Sequence, residues 1–100
     1  MNSSKAANPE QAILELTVNN HPGVMSHVCG LFSRRAYNVD GILCMPIPNT
    51  DTSRIWLRVL EGDRLAQVEH QLHKLHDVHD VRRHPPDHVV FGNLQGFFQD

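Results

Sequence analysis

Apolar and polar residues alternate strictly between positions 14 and 18, with leucine or valine at the even positions and glutamate or threonine at the odd ones. A period of two is typical of a strand with one buried face, so this stretch predicts a first strand over residues 12–18. From Val24 onward the apolar residues recur every three or four positions, which predicts an amphipathic helix over residues 24–37. The pair Pro22-Gly23 joins the two elements in a tight turn.

Two further strands are predicted after this helix. The stretch 39–47 is largely apolar but contains Pro46, whose missing N–H predicts a strand at the edge of a sheet. Residues 53–60 show the cleanest alternation in the chain and predict a strand with one face toward the helices. The face toward the helices carries Ile55, Leu57 and Val59, and the open face carries Arg54, Trp56 and Arg58.

A second helix and a last strand complete the pattern. Apolar residues spaced three or four apart predict the helix over residues 64–76. The last strand is predicted over residues 78–83. Val78 and Val81 lie three positions apart, which does not fit a strict alternation and therefore predicts a bend or bulge in this strand.

The element order β-α-β-β-α-β predicts an α+β fold of the ferredoxin-like kind, a four-stranded antiparallel sheet with two helices on one face. This domain is predicted to span residues 11–83. The polar residues 1–10 are predicted to be a disordered N-terminal tail. Residues 84–100 form a C-terminal tail rich in phenylalanine, which would present an apolar patch if all its rings stayed in water.

Composition excludes several classes of function. The chain of 100 residues has a net charge of −2 with acidic and basic residues interspersed, so no basic surface for nucleic acid or anionic membrane is indicated. Cys29 and Cys44 form no CxxC pair, and zinc-ligand spacing is missing. The N-terminus lacks the apolar segment of a signal peptide, and no apolar run approaches the roughly 20 residues of a membrane span. We therefore expect a cytoplasmic protein with reduced cysteines.

Two patterns invite sharper interpretations. Histidines recur every third residue from His70 to His79, which is reminiscent of metal ligands. On a helix, a step of three drifts around the cylinder by about 60°, so a solvated surface is favoured over a metal site. Trp56 between two arginines would suit a base-stacking platform for RNA, but the first strand has no second aromatic residue on that face. Tryptophan and arginine are also common anchors of protein interfaces, and that interpretation is favoured.

Catalysis has little support in the sequence. Ser26 and His27 are neighbours on the predicted helix and point about 100° apart, so they cannot form a nucleophile–base pair. No glycine-rich phosphate cradle is present. The pattern therefore favours a non-catalytic protein without catalytic residues or metal ligands.

The loop over residues 19–25 is the most suggestive chemical feature. The first turn of a helix presents unpaired N–H groups, and Gly23 allows close approach of the backbone to a ligand. Together these features make a seat for a carboxylate or a phosphate. A Pro-Gly pair between a strand and a helix is nevertheless most often a simple turn, so both interpretations stay open from this loop alone.

The longer stretch is far more specific. Residues 14–47 resemble the ACT domain of the small regulatory subunits of acetolactate (acetohydroxyacid) synthase, and above all the short single-domain form of the isozyme I type. The matching segments are NHPGVMSHVCGLFSRRAYNVDGI, the IWL of the third strand and the QLHKLHDV that closes the second helix. The resemblance extends from residue 12 to about residue 83, and it implies the same ferredoxin-like fold.

This resemblance implies a regulatory subunit that binds the catalytic (large) subunit of acetolactate synthase, raises its activity and confers feedback inhibition by valine in branched-chain amino acid biosynthesis. It also implies that thiamine diphosphate, FAD and magnesium bind the catalytic subunit and not this chain. The alternative is a free-standing ACT protein that senses an amino acid and regulates another enzyme. The phenylalanine-rich tail favours the first function, because a free sensor has little reason to keep such residues near its surface.

In ACT domains, the effector amino acid lies between two domains that pair side by side. Carried onto this sequence, the implied valine site consists of Asn20, His21, Pro22, Gly23, Val24 and Met25 of one chain, facing Asn38 and Val39 of a partner chain. Amides at the helix start would hold the carboxylate of valine, and the side-chain carbonyls of Asn20 and Asn38 would accept from its ammonium group.

Two interfaces are predicted. The second strand is an apolar edge without a protecting lysine, which a soluble monomer normally avoids, so we expect a two-fold homodimer formed by pairing these edges. The dimer interface is predicted at Val39, Asp40, Gly41, Ile42, Leu43 and Cys44. The catalytic subunit is expected to dock on Arg54, Trp56, Arg58, Phe91, Phe97 and Phe98.

Overall fold

The computed structural model describes residues 10–98, apart from the side chain of Gln95. Within that range the elements are β1 (Gln11–Asn19), α1 (Val24–Arg34), β2 (Val39–Pro46), β3 (Thr52–Leu60), α2 (Leu65–His73), β4 (Val78–His84) and two 3₁₀ helices, Val89–Phe91 and Gln95–Phe98. The strands form one antiparallel sheet in the order β2-β3-β1-β4. The predicted ferredoxin-like fold is thereby confirmed, while residues 1–9 of the predicted N-terminal tail lie outside the described residues.

The core lies between the sheet and the two helices. The alternating residues of β1 and β3 turn one buried face toward the stripes of α1 and α2, so the two periodicities seen in the sequence meet in a single cluster. Its fully buried members from the strands are Leu14, Leu16, Val18, Ile55, Leu57 and Val59, and those from the helices include Val28, Leu65 and Leu72.

The opposite face of the sheet is covered in part. Ile13 faces away from the core and is fully buried, although it stands on the open side between Arg58 of β3 and His84 of β4. A sheet face open to water could not bury this side chain. The C-terminal segment packs on this face: the ring of Phe91 stacks against the guanidinium of Arg58, and His88 packs against His84.

Helix α1 ends at Arg34, earlier than the predicted end at residue 37, because the chain closes it with a Schellman motif. The amide of Ala36 donates to the carbonyl of Ser33 at 3.0 Å, and that of Tyr37 donates to Phe32 at 2.9 Å. Ala36 takes the left-handed conformation that this motif requires, with φ of 52°. The rings of Phe32 and Tyr37 meet edge to face at 6.0 Å, which supplies the accompanying apolar contact.

Helix α2 also ends early, at His73 instead of residue 76. The amides that follow bond three residues back, from Leu75 to Leu72 and from Val78 to Leu75, so the chain tightens and then enters β4. The bulge predicted in this strand is confirmed. Thr17 pairs with Asp80 whereas Val18 pairs with Val78, and the residue between them on β4 has no partner in the register.

Strand β2 is an edge, as its proline predicts, and it is poorly covered. Ile42 and Cys44 pair with inward-facing residues of β3, so they stand on the side of the sheet that carries the helices. Both are nevertheless exposed, Ile42 to 40%. The helices therefore leave this side of β2 open within a single chain.

Candidate functional site

The turn between β1 and α1 presents an uncapped helix start. Gly23 is the N-cap residue, its φ is 93°, and no side chain within residues 10–98 caps the helix. The amide of Val24 reaches back to the carbonyl of His21 at 3.4 Å, and the Gly23 carbonyl accepts from His27 at 3.0 Å. Helical geometry gives the amides of the first turn no carbonyl partner inside the helix, so they are suited to an anionic ligand.

Gly23 has a conformational reason to be glycine, and the space in front of it is open. Its left-handed backbone is one that other residues adopt only with strain. A Cβ placed there meets no heavy atom of the described part of the chain within 4 Å, so a side chain would project into open space in front of the helix. That open space is where a ligand bound by the helix amides would lie.

His21 is held in this turn from two sides. Its Nδ1 lies 2.5 Å from the carbonyl oxygen of Pro22, and its Nε2 lies 2.7 Å from Oδ1 of Asp77. Asp77 precedes β4 and is only 8% exposed. The side chain of Asn19 donates to the same Oδ1 at 3.0 Å, and the amide of Asn19 donates to the Asp77 carbonyl at 2.8 Å.

Asp77 is a residue that the sequence interpretation missed. Asp77 lies 58 positions from Asn19 in the sequence. The helix pattern before it and the strand pattern after it predict a turn at this position but no contact with the loop. Donation from Asn19 and then from His21 holds the pKa of its carboxyl below the usual range. The pKa of His21 is raised in turn, first by the Pro22 carbonyl and then by Asp77.

The other residues assigned to the loop lie in different environments. Asn20 is exposed, and its amide donates to the carbonyl of Asp51 at 3.0 Å. Val24 is buried in the core, so it offers its backbone and not its side chain to a ligand. Met25 is half-buried and packs on the edge of the core.

The second half of the implied site lies at the far end of the sheet. Asn19 pairs with Thr52 at one end of β3, whereas Val39 pairs with Val59 near the other end. At about 3.3 Å per residue along a strand, the loop and the start of β2 are on the order of 20 Å apart in one chain. The side chain of Asn38 donates to the carboxylate of Asp40 at 2.6 Å. Because the two ends of the sheet are so far apart, it cannot contact the loop of its own chain.

The C-terminal segment divides its aromatic residues between two roles. Phe91 is 6% exposed: its ring lies 4.8 Å beneath the guanidinium of Arg58 and 3.2 Å from the position a Cβ would take on Gly41. In contrast, Phe97 and Phe98 are 84% and 86% exposed.

Trp56 and Arg54 are also engaged within the chain. The Trp56 ring packs against His84 at 5.5 Å and against His88 at 4.9 Å. Nε of Arg54 makes no hydrogen bond but lies 3.1 Å from Oε2 of Glu15 as an ion pair. The three residues assigned to partner docking on β3 therefore contact other parts of the chain, and the open aromatic surface is the end of the tail.

Some features of the described residues bear on other chemistry. Cys29 and Cys44 are free thiols. Across residues 10–98, His, Cys, Asp and Glu side chains form no group of three or more that could hold a metal ion. Over the same part of the chain, every helix is too short or too polar to cross a membrane.

Comparison with known proteins identifies the family. A family model for the AHAS small subunit-like ACT domain matches residues 14–80. The chain is 56% identical over 90 residues to the acetolactate synthase isozyme 1 small subunit of Escherichia coli strain K12, covering 90% of this chain and 94% of that one. It is 39% identical over 61 residues to the isozyme 3 small subunit of the same strain, covering 60% of this chain and 37% of that protein.

A solved structure agrees with these sequence matches. The crystal structure of the acetolactate synthase small subunit from Thermotoga maritima aligns with a TM-score of 0.67 and 32% identity, over 73% of this chain and 46% of that chain. The fold, the strand-to-helix turn and the sequence matches lead to one conclusion. This chain belongs to the family of acetolactate synthase small subunits built on an ACT domain.

Proposed function

We propose that this chain is the regulatory subunit of a cytoplasmic acetolactate synthase: it binds and activates the catalytic (large) subunit and confers feedback inhibition by valine in branched-chain amino acid biosynthesis. The observation that carries the proposal is the 56% identity to the isozyme 1 small subunit over nearly the whole length of both chains. The role is non-catalytic. Thiamine diphosphate, FAD and magnesium belong to the catalytic subunit in this proposal.

Valine binds at the turn before α1. Its carboxylate lies on the uncapped amides around Gly23, where the backbone has open space before it. Its ammonium group donates to the side-chain carbonyl of Asn20 and to that of Asn38 from a second copy. The separation of these two asparagines within one chain supports a site that is shared between copies.

A two-fold pairing of β2 edges completes this site. Antiparallel pairing places the start of one β2 beside the end of the other. The end of β2, at Pro46, pairs with Ser53, next to the Thr52 that pairs with Asn19. The start of β2 in one copy therefore comes to the end of the sheet where the loop of the other copy lies. The exposed, apolar edge with Ile42 supports the same pairing.

The catalytic subunit docks on the free end of the C-terminal segment. Phe97 and Phe98 are almost fully exposed, with Val89 exposed nearby in the sequence. Neighbouring large apolar side chains left in water form the kind of exposed patch that marks an interaction site. Phe91 and the residues of β3 beneath it hold this segment against the sheet and give the patch a fixed base.

The proposal is tested by reconstituting the cognate catalytic subunit with this chain. We expect that adding the chain raises the synthase rate and that valine then lowers it, whereas valine leaves the catalytic subunit alone unaffected. A chain that binds valine but neither associates with the catalytic subunit nor changes its rate would instead support the free-standing sensor. A chain that does neither would contradict both functions.

A further inference from the structure

The two ring nitrogens of His21 both face oxygens that accept hydrogen bonds and cannot donate them. One is the backbone carbonyl of Pro22 at 2.5 Å, and the other is the carboxylate of Asp77 at 2.7 Å. A neutral imidazole carries one N–H and can serve only one of these acceptors. The imidazolium has two N–H donors and serves both. The geometry of the turn therefore matches the protonated form of His21.

Asp77 joins three parts of the fold at this point. Asn19 at the end of β1 donates to it at 3.0 Å, His21 contacts it from the turn, and Nδ1 of His27 on α1 lies 3.7 Å from its second oxygen. His76, the residue before Asp77, makes a smaller electrostatic contribution that also lowers the pKa of the Asp77 carboxyl. His79 of β4 reaches it indirectly, through a 2.6 Å contact with the side-chain oxygen of Asn19.

We propose that His21 and Asp77 form a protonation-dependent latch on the effector loop, in which Asp77 positions the turn and the doubly donating His21 fixes it in the geometry that binds valine. This inference rests on the proposed function, because it concerns the affinity of the same site. Asp77 is a positioning residue in this account: it touches the loop and not the effector.

The sign of the pH dependence follows from the two groups. The pKa of His21 is raised by its two acceptors, so the latch is complete below the ordinary imidazole value of about 6.5 and is lost as pH rises through the higher value in the folded chain. The pKa of Asp77 is lowered by its donors, so its carboxylate stays charged over this whole range. The contribution of the Asp77 carboxylate to the latch is lost only when pH falls through that lowered pKa, below about 3.9.

Valine and the proton should bind cooperatively. An ordered loop holds both acceptors in place, and the carboxylate of valine adds negative charge near the imidazolium. Both effects raise the affinity of His21 for its second proton, so valine binding takes up protons and weakens with rising pH. A difference of one pKa unit between the free and bound forms would make the affinity about tenfold lower well above the His21 pKa than well below it.

The test is isothermal titration calorimetry of valine into the full-length protein from pH 5.5 to 8.5, in buffers of different ionisation enthalpy. For the wild type we expect proton uptake and falling affinity with rising pH. His21→Gln should abolish the proton uptake that is due to His21 and make the valine affinity less dependent on pH. His70→Gln, on an exposed part of α2, is the matched control and should behave as the wild type does.

Asp77→Asn separates the latch from a merely structural role. The amide keeps an acceptor for His21 but loses the charge, so the pKa of His21, followed by NMR of its imidazole in the valine-free protein, should fall toward the ordinary value. Asp80→Asn, which removes a carboxylate paired with Arg82 in the same strand, should leave it unchanged.

Two outcomes would overturn the latch: an unchanged His21 pKa in Asp77→Asn, or unchanged proton uptake in His21→Gln. A wild type that binds no valine at any pH would contradict the proposed function instead. The NMR titration of the valine-free protein would still report on the latch in that case.

Discussion

At the scale of single residues, the proposed valine site depends on backbone geometry more than on side-chain chemistry. Gly23 starts α1 with a left-handed φ of 93° and nothing in front of it. A non-glycine residue in this conformation costs about 1–2 kcal/mol. Among non-glycine residues, asparagine and aspartate adopt a positive φ most readily. Both are also good N-cap residues, which offsets part of that cost. Variants with these two residues should therefore fold.

Gly23→Asp places a carboxylate where that of valine should lie. We expect the variant to activate the catalytic subunit while the valine concentration for half inhibition rises tenfold or more, about 1.4 kcal/mol. Gly23→Asn is the control, because it has the same size and backbone strain without the charge, and we expect a smaller rise. Valine titration of the reconstituted enzyme measures both. Equal effects would speak against a carboxylate seat, and wild-type inhibition in both would place the effector elsewhere.

At the scale of elements, the C-terminal segment has an anchored part and an exposed end, which is the proposed docking site. Phe91 is buried and packs against Gly41 and Arg58, so it stabilises the chain to which it belongs. Phe97 and Phe98 bury almost nothing in the single chain. Deletion of the whole tail would therefore change both the stability of the chain and its proposed docking to the catalytic subunit. Point substitutions test the two effects separately.

Replacing both Phe97 and Phe98 by serine should leave thermal unfolding and valine binding unchanged but weaken activation of the catalytic subunit by tenfold or more. Phe91→Ala should instead lower the free energy of unfolding by roughly 3 kcal/mol, the lower end of the range for buried phenylalanines. Differential scanning calorimetry and an activation titration measure the two effects. Full activation by the serine variant would contradict docking through these rings.

At the scale of the whole molecule, one chain holds both halves of the proposed valine site but cannot bring them together. The loop after Asn19 and the start of β2 at Val39 lie at opposite ends of the sheet. In the proposed dimer, pairing through β2 completes the effector site as well as covering an apolar edge. Assembly and valine inhibition should consequently fail together.

Ile42→Glu places a charge on the uncovered side of β2, where the side chain is 40% exposed in the single chain. We expect a folded monomer at micromolar concentration that has lost valine inhibition. Gln67→Glu adds the same charge on the exposed part of α2 and should remain a dimer. Light scattering and valine titration test both variants. A wild type that is monomeric with and without valine would refute the shared site.

Local sequence patterns were enough to predict the order of the elements, the buried faces of β1 and β3, the edge position of β2 and the bulge in β4. Each depends on residues close together in the chain: periods of two or 3.6, a proline without an N–H, or two valines three apart. The family and the position of the loop were also legible, because the matching segments are long. The ends of the helices were harder to predict, because an alanine such as Ala36 gives no local sign of the left-handed conformation that it adopts.

The tertiary structure alone decided which distant residues meet. Asp77 joins Asn19, His21 and His27 only because β4 lies beside β1 in the sheet. Phe91 is buried because the chain turns back over the sheet and its ring packs beside Gly41, where no side chain stands in the way. Phe97 lies beyond this contact and stays exposed. Such contacts join residues far apart in sequence, and no local period encodes them. They follow from the sheet order and from which surfaces remain to be covered once the core has formed.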